Sequence, residues 1–161
     1  MIKIWYALKC PKKSEQDYTE IYEKLTDSGR LKEVISFEYQ RMMRYGGGWH
    51  MERKKLLPGW IFLSGVRPEE LKRSKYRKNI ISLIPCETPY MKTMCQEGNL
   101  IGMSKGIIRE GKTVITSGPL KGREYLIRRI DRHKRTAEIE VPFAGENTRV
   151  TVGLEIYEKQ M

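Results

Sequence analysis

A cluster of arginine and lysine side chains near the C-terminus has the clearest chemistry in this sequence. The segment Lys121–Arg135 carries seven basic residues and two acidic ones. Guanidinium groups form paired hydrogen bonds with phosphate oxygens and guanine edges, and clustered cations gain affinity by releasing counterions from a polyanion. The segment therefore predicts a surface that binds nucleic acid.

The candidate RNA-binding residues are the cations of this segment and its histidine: Lys121, Arg123, Arg128, Arg129, Arg132, His133, Lys134 and Arg135. We expect His133 to be a turn residue or a hydrogen-bond donor rather than a metal ligand. Residues 136–161 hold two basic and five acidic side chains. A basic loop followed by an acidic segment favours the binding of a polyanion in one orientation.

Short alternating strands must position this cluster. The apolar residues of the last third recur at every second position: Ala137, Ile139, Val141, Val150, Val152, Leu154 and Ile156. Together with the glycine-proline turn at Gly118, this period predicts a small all-β barrel.

The first hundred residues predict strands mixed with helices. Helices are expected from Ser14 to Gly29, from Glu69 to Lys78, and from Thr88 to Gly98, because each range has capping residues or a terminal glycine. Strands are expected at residues 2–9, Val34–Met43, Leu56–Leu63 and Ile80–Ile84, with a glycine hairpin tip at Gly46–Gly48.

Composition narrows the class of protein. The 161 residues carry a net charge of +11, and 39% are hydrophobic. No apolar run reaches the roughly 18 residues of a membrane helix, and the N-terminus lacks a signal-peptide pattern, so we expect a cytoplasmic protein without a membrane partner. The cysteines Cys10, Cys86 and Cys95 form no CxxC pair, which predicts reduced thiols.

Catalysis is not expected. The two histidines lie in separate modules, and the acidic residues are spread out instead of forming the clusters that metal or nucleophilic chemistry needs. We therefore predict that the protein is not an enzyme and has neither a metal nor a cofactor.

Two motifs, taken together, resemble the NusG family of transcription elongation factors. The N-terminal motif comprises Trp5–Tyr6 and Glu52–Phe62; the C-terminal motif has the pattern of a KOW domain, with Gly111, Gly118–Pro119, Ile130–Asp131 and Val152–Ile156. Residues 101–108 and 130–135 are most similar to the specialised LoaP branch. One departure is Tyr125, which stands where KOW sequences generally have a glycine, so the bend lies at Gly122 or the loop differs in shape.

The resemblance implies an α+β fold in two parts. An N-terminal NGN α/β sandwich, an antiparallel sheet flanked by helices, would cover residues 1–98. A linker would cover residues 99–108, and a five-stranded SH3-like KOW β-barrel would cover residues 109–161.

The resemblance also implies partners. The first domain would bind the clamp helices of RNA polymerase through Trp5, Tyr6, Leu57, Pro58, Trp60, Phe62, Trp49 and His50, of which we expect about half to be core. The KOW domain would bind a hairpin in the nascent leader RNA. Upstream DNA, the non-template strand and a ribosomal protein are further partners that the resemblance implies, and we expect a monomer.

These expectations lead to one main hypothesis and one alternative. The main hypothesis is a regulator of transcription elongation and antitermination that bridges RNA polymerase and the nascent transcript. The alternative is a ribosome-associated RNA-binding protein of the KOW type, which would explain the basic barrel but not the motif Leu57–Trp60.

Overall fold

The computed structural model describes residues 4–9, 33–65, 69, 80–82 and 89–161. The chain divides into two compact units, each built from two segments. Unit 1 comprises Met1–Ser36 and Leu57–Pro89, and unit 2 comprises Phe37–Leu56 and Tyr90–Met161.

Strands dominate the described residues. In chain order they are β1 (Trp5–Lys9), β2 (Glu33–Ile35), β3 (Glu38–Tyr45), β4 (Gly48–Lys55), β5 (Trp60–Ser64), β6 (Ile80–Ser82), β7 (Leu100–Ile101), β8 (Ser104–Arg109), β9 (Lys112–Ser117), β10 (Ile127–Asp131), β11 (Thr136–Phe143) and β12 (Glu146–Gln160). Two short 3-10 helices, Tyr90–Met94 and Glu124–Leu126, accompany them in unit 2.

Unit 1 contains an antiparallel sheet with the strand order β2-β5-β1-β6. Its two central strands are almost entirely apolar, and their side chains are buried on both faces: Trp5, Tyr6, Ala7, Leu8, Ile61, Phe62 and Leu63. A continuous apolar run of this length is typical of a strand at the centre of a sheet.

Unit 2 contains a five-stranded sheet with the order β10-β11-β12-β8-β9. All its pairs are antiparallel except β12 with β8, which is parallel. The alternation predicted from the sequence is present, because Ala137, Ile139 and Val141 are buried opposite Val152, Val150 and Thr148 of β12. The intervening polar residues lie on the other face, where the candidate site is found.

The remaining strands of unit 2 form a three-stranded sheet with the order β4-β3-β7. The turn between β3 and β4 consists of Gly46 and Gly47, whose φ angles are +59° and +80°. Two consecutive positive φ angles match the twist of a two-residue hairpin, and glycine adopts them with little strain. The hairpin tip predicted at Gly46–Gly48 is thus confirmed.

The predicted fold class is wrong. The described residues are nearly all β, they contain no helix of seven or more residues, and their strands form three sheets instead of a helix-flanked sandwich. The strands at residues 38–55 pair with each other and with β7, so they do not join the N-terminal sheet. The helix expected from Thr88 to Gly98 is only the 3-10 segment Tyr90–Met94.

The expected strands, helices and linker can be compared with the observed elements one by one. The strands expected near residues 2–9, 56–63 and 80–84 are present as β1, β5 and β6. The helix expected from Ser14 to Gly29 lies outside the described residues, as does the helix expected at Glu69–Lys78 apart from Glu69. Residues 99–108, the expected linker, include β7 and most of β8. The predicted domain boundaries stay a prediction.

Candidate nucleic-acid interface

The basic surface of unit 2 is built on the hairpin formed by β10 and β11. Asp131 and Thr136 are the last paired residues before the loop. The loop is held by two hydrogen bonds: the Lys134 amide donates to Asp131 Oδ1 at 2.9 Å, and the Leu154 amide donates to the Arg135 carbonyl at 3.0 Å. Arg132, His133 and Lys134 are consequently exposed at the tip.

Asp131 remains ionised as part of this turn. The hydrogen bond from the Lys134 amide is the main cause that lowers the pKa of its carboxyl group, and the charges of Lys134 and Arg129 act in the same direction. An ionised carboxylate accepts stronger hydrogen bonds from backbone amides than a neutral one. The turn therefore depends on Asp131 as a local acceptor.

A register shift between Ile127 and Arg129 introduces a bulge at the start of β10. Arg128, in the bulge, donates to the Tyr125 carbonyl at 2.7 Å and pairs with Glu140 at 3.3 Å. Beyond the bulge, Arg129 is the backbone register partner of Glu138 on β11. Arg128 therefore holds the strand in place, whereas Arg129 points away from the core.

Two further predicted binding residues have partners within unit 2. Arg123 donates to the Pro119 carbonyl at 2.8 Å and to the Thr93 carbonyl at 3.3 Å. The guanidinium carbon of Arg135 lies 3.9 Å from the centroid of the Trp49 ring, and its Nη1 is 3.6 Å from Glu155 Oε1. These two arginines stabilise the hairpin and its surroundings.

Four predicted binding residues are exposed cations without an ion pair in the described part of the chain: Lys121, Arg129, Arg132 and Lys134. Of the acidic residues of β11, Glu140 pairs with Arg128 and Arg149, whereas Glu138 has one longer contact with Arg149, at 3.6 Å. Arg129, Arg132, Lys134 and the exposed His133 lie on the β10–β11 hairpin, and Lys121 lies in the turn between β9 and the 3-10 helix that precedes this hairpin; we call these five residues the basic hairpin surface.

A cleft of about 210 Å³ opens beside this surface. It is lined by Arg41, Arg129, Asp131, Lys134, Thr136, Glu138 and Thr151, and we call it the Arg41 cleft. Its floor is two rows of the ladder across β10, β11 and β12. Arg129, Glu138 and Thr151 form one row, and Asp131, Thr136 and Gly153 form the next.

Gly153 explains how Arg41 reaches this face. A Cβ atom at Gly153 would lie 2.3 Å from the Gln40 carbonyl oxygen. The missing side chain therefore lets β3 pass directly over β12, which brings the neighbouring Arg41 to the edge of the cleft. Arg41 is not among the predicted site residues, because nothing local in the sequence connects residue 41 with residues 129–151.

A wider depression of about 560 Å³, which we call the Tyr157 depression, is also lined by residues of the loop. Its lining includes Arg132, His133, Arg135 and the half-exposed Tyr157. The Tyr157 hydroxyl donates to Thr116 Oγ1 at 3.2 Å, which fixes the ring. An aromatic ring beside arginines provides a face on which a nucleobase stacks.

The candidate polymerase-binding residues of unit 1 fall into two groups. Trp5, Tyr6 and Phe62 are buried in the core, and burial, followed by the charge of Glu69, raises the pKa of Tyr6. Leu57 and Pro58 lie in the turn before β5, and Trp60 is the first residue of that strand. Pro58 is exposed, and Leu57 and Trp60 are partly exposed. Lys9 Nζ lies 6.0 Å from the Trp60 ring.

The last two candidates for polymerase binding lie at the tip of the β3–β4 hairpin in unit 2. Trp49 is stacked under Arg135, as described above. The ring of His50 stacks on that of Tyr45, with 4.0 Å between centroids, and His50 Nε2 lies 3.0 Å from the Tyr45 carbonyl. The tip is therefore an ordered aromatic cluster.

The bend expected near Tyr125 lies at Gly122. Gly122 has a φ of +80°, whereas Tyr125 is in the 3-10 helix Glu124–Leu126. The Tyr125 hydroxyl lies 3.1 Å from that of Tyr90, and this hydrogen bond is the main cause that raises the pKa of Tyr125.

Metal-binding and membrane-spanning features are missing from the described ranges. No three His, Cys, Asp or Glu side chains of those ranges are grouped to hold a metal ion. None of the helices in the same ranges is long and apolar enough to cross a membrane.

Comparison with models of known protein families finds no match, and comparison with curated proteins finds none either.

Proposed function

We propose that this protein regulates transcription elongation by binding a structured RNA through the basic hairpin surface of unit 2 and RNA polymerase through unit 1. The observation that carries the RNA half is a set of exposed cations with no ion pair among the described residues: Arg129, Arg132 and Lys134 on a hairpin whose loop is held by hydrogen bonds, and Lys121 in the turn before it. Unpaired cations repel one another, and phosphate contacts convert that repulsion into affinity.

The shape of the surface favours folded RNA. The loop Arg132–Arg135 lies at the end of the β10–β11 hairpin and contributes to two cavities: Lys134 lines the Arg41 cleft, and Arg132, His133 and Arg135 line the Tyr157 depression. The deep, narrow major groove of A-form RNA excludes side chains, so a basic loop binds best where a bulge or a terminal loop opens the helix. A base exposed at such a point has two sites within reach: the Tyr157 ring for stacking and the Arg41 cleft for hydrogen bonds.

The polymerase half is supported by the sequence resemblance and by the accessible residues Leu57, Pro58 and Trp60. Apolar and aromatic side chains that are partly exposed supply the anchors of protein interfaces. Linking the two binding events in one chain raises the local concentration of the second partner, so two moderate contacts give a tight assembly. An assembly of this kind would suppress pausing and termination near the RNA hairpin.

In vitro transcription with purified RNA polymerase tests this proposal. The template encodes a bulged RNA hairpin upstream of an intrinsic terminator, and readthrough is measured for wild type, Leu57→Asp and the double variant Lys121→Ala/Arg132→Ala. We expect wild type to increase readthrough and both variants to lose the increase, with only Leu57→Asp losing polymerase binding. No effect of wild type on readthrough, together with binding to ribosomal subunits instead of polymerase, would overturn the proposal.

A further inference from the structure

The Arg41 cleft has a composition that phosphate binding does not explain. Its cations Arg41, Arg129 and Lys134 face two carboxylates, Asp131 and Glu138. Asp131 is ionised, as its lowered pKa indicates. Carboxylates repel a phosphate, so a ligand of this cleft must offer hydrogen-bond donors as well as acceptors.

Arg41, one of the residues that line the cleft, has a donor atom without an acceptor. The Arg41 Nε atom is buried and makes no hydrogen bond with the described residues. A buried donor left unpaired is unfavourable, and a ligand that supplies an acceptor removes this cost. The guanidinium of Arg41 therefore has unused donor capacity beside the cleft, which suits a ligand with acceptor atoms.

The donors and acceptors of the cleft are arranged in a fixed row. Arg129 and Glu138 are direct partners in the ladder, and Glu138 is the direct partner of Thr151. Side chains opposite one another on a sheet start about 5 Å apart, so a guanidinium and a carboxylate flank the same small space. Its volume, about 210 Å³, is below the range of about 300–1,000 Å³ for drug-sized ligands, and suits a single base.

We propose that the Arg41 cleft binds one unpaired guanine base of the RNA, with arginine donors at its O6 and N7 atoms and the Glu138 carboxylate at its N1–H and N2–H donors. This inference rests on the proposed RNA binding and names the feature that the site recognises. Guanine alone among the four bases has two adjacent acceptors on one edge and two adjacent donors on another. Bases extruded from a bulge expose both edges.

Glu138 is the acceptor because Asp131 already accepts the Lys134 amide in the turn. The Glu138 side chain is 40% exposed, and its only ion pair in the described residues, with Arg149, is long at 3.6 Å. One of its oxygens is thus free to accept from the base. Arg129 and Arg41 approach from the two sides of the cleft, on β10 and β3.

The probes are synthetic RNA hairpins of one stem sequence with a single bulged nucleotide: guanine, adenine, cytosine, uracil, inosine or 7-deazaguanine. Inosine lacks the N2 amino donor, and 7-deazaguanine lacks the N7 acceptor. Dissociation constants are measured for the full chain, for Glu138→Gln and for Arg41→Lys. A matched control, Glu140→Gln, removes the neighbouring partner of Arg149 on the same strand but does not line the cleft.

Wild type is expected to bind the guanine bulge about tenfold more tightly than the other natural bulges, and to lose most of that preference with inosine or 7-deazaguanine. Glu138→Gln should bind guanine and inosine bulges equally, Arg41→Lys should bind guanine and 7-deazaguanine bulges equally, and Glu140→Gln should keep the wild-type preference. Circular dichroism shows whether each variant is folded. Equal affinity of wild type for all bulges overturns the guanine site while leaving RNA binding intact, and no binding of any hairpin overturns both proposals.

Discussion

The guanidinium of Arg135 lies over the indole ring of Trp49, with 3.9 Å between the guanidinium carbon and the ring centroid. The two residues belong to separate hairpins, β10–β11 and β3–β4, and their stacking is one of the contacts that join these hairpins within unit 2. The sequence predicted RNA binding for Arg135 and polymerase binding for Trp49. In the structure the two side chains stack on each other.

Removing this stack should destabilise unit 2. A double-mutant cycle with Trp49→Ala and Arg135→Ala should give a coupling free energy of about 0.5–1 kcal/mol, the usual size of a cation–π contact at a partly exposed site. Urea unfolding followed by circular dichroism measures it, and Trp49→Phe should retain part of the coupling. Strict additivity of the two single variants would show that the stack contributes nothing in solution.

Gly118 should tolerate substitution less well than Gly122. Both have positive φ angles, +95° and +80°, but a Cβ at Gly118 would lie 2.5 Å from Ser104 Cα, whereas nothing lies within 4 Å at Gly122. Gly122→Ala therefore carries only backbone strain, about 1–2 kcal/mol. Gly118→Ala adds a clash with the backbone, for a loss of about 3 kcal/mol or more. Equal losses of unfolding free energy would show that Gly118 is not so closely packed.

The Asp131 turn should depend on pH in the acidic range. Because the pKa of folded Asp131 is below the ordinary value of 3.8, its stabilising contribution is present above that value and is lost as the pH falls through the folded pKa. In NMR spectra the Lys134 amide resonance should titrate with a pKa below 3.8. The shift should be absent in Asp131→Asn. A midpoint at or above 3.8 would show that the hydrogen bond is not formed.

Cys95 should react slowly with alkylating reagents. Burial, partly offset by the charge of Lys92, raises its pKa from 9.0 to about 11, and its Sγ donates to the Met91 carbonyl at 3.3 Å. A rise of about two units lowers the thiolate fraction at pH 8 about a hundredfold. Mass spectrometry of the Cys95 peptide after iodoacetamide treatment should show slow labelling of the native chain and rapid labelling in urea. Equal rates would contradict the burial of this thiol.

Local features of the fold could be predicted from the sequence, and the arrangement of the sheets could not. The period of two in residues 137–156 and the glycine pair at Gly46–Gly47 correctly indicated strands and a turn, since both signals reside in neighbouring residues. The partner of each strand depends on contacts between distant segments. Thus β3 and β4 were assigned to the N-terminal sandwich, although β3 pairs with β4 and β7 and both strands belong to unit 2.

The same limit applies to the candidate site. Charge clustering predicted the exposed cations Lys121, Arg129, Arg132 and Lys134, but it could not separate them from Arg123, Arg128 and Arg135, which bind carbonyls, carboxylates or an indole ring. Nor could it find Arg41, which the small size of Gly153 brings to the cleft. Net charge identifies a segment, whereas the exposed surface depends on tertiary contacts.

The salt dependence of RNA affinity tests most directly whether the basic hairpin surface binds RNA. Dissociation constants for a bulged RNA hairpin are measured at several salt concentrations for wild type, for Lys121→Ala/Arg132→Ala, and for Lys105→Ala/Lys112→Ala, which removes two exposed lysines from β8 and β9. The first double variant should bind more weakly, and the slope of log affinity against log salt should fall by about 2, one unit for each lost phosphate contact. The second should match wild type. Wild-type affinity and slope in Lys121→Ala/Arg132→Ala would contradict RNA binding by this surface.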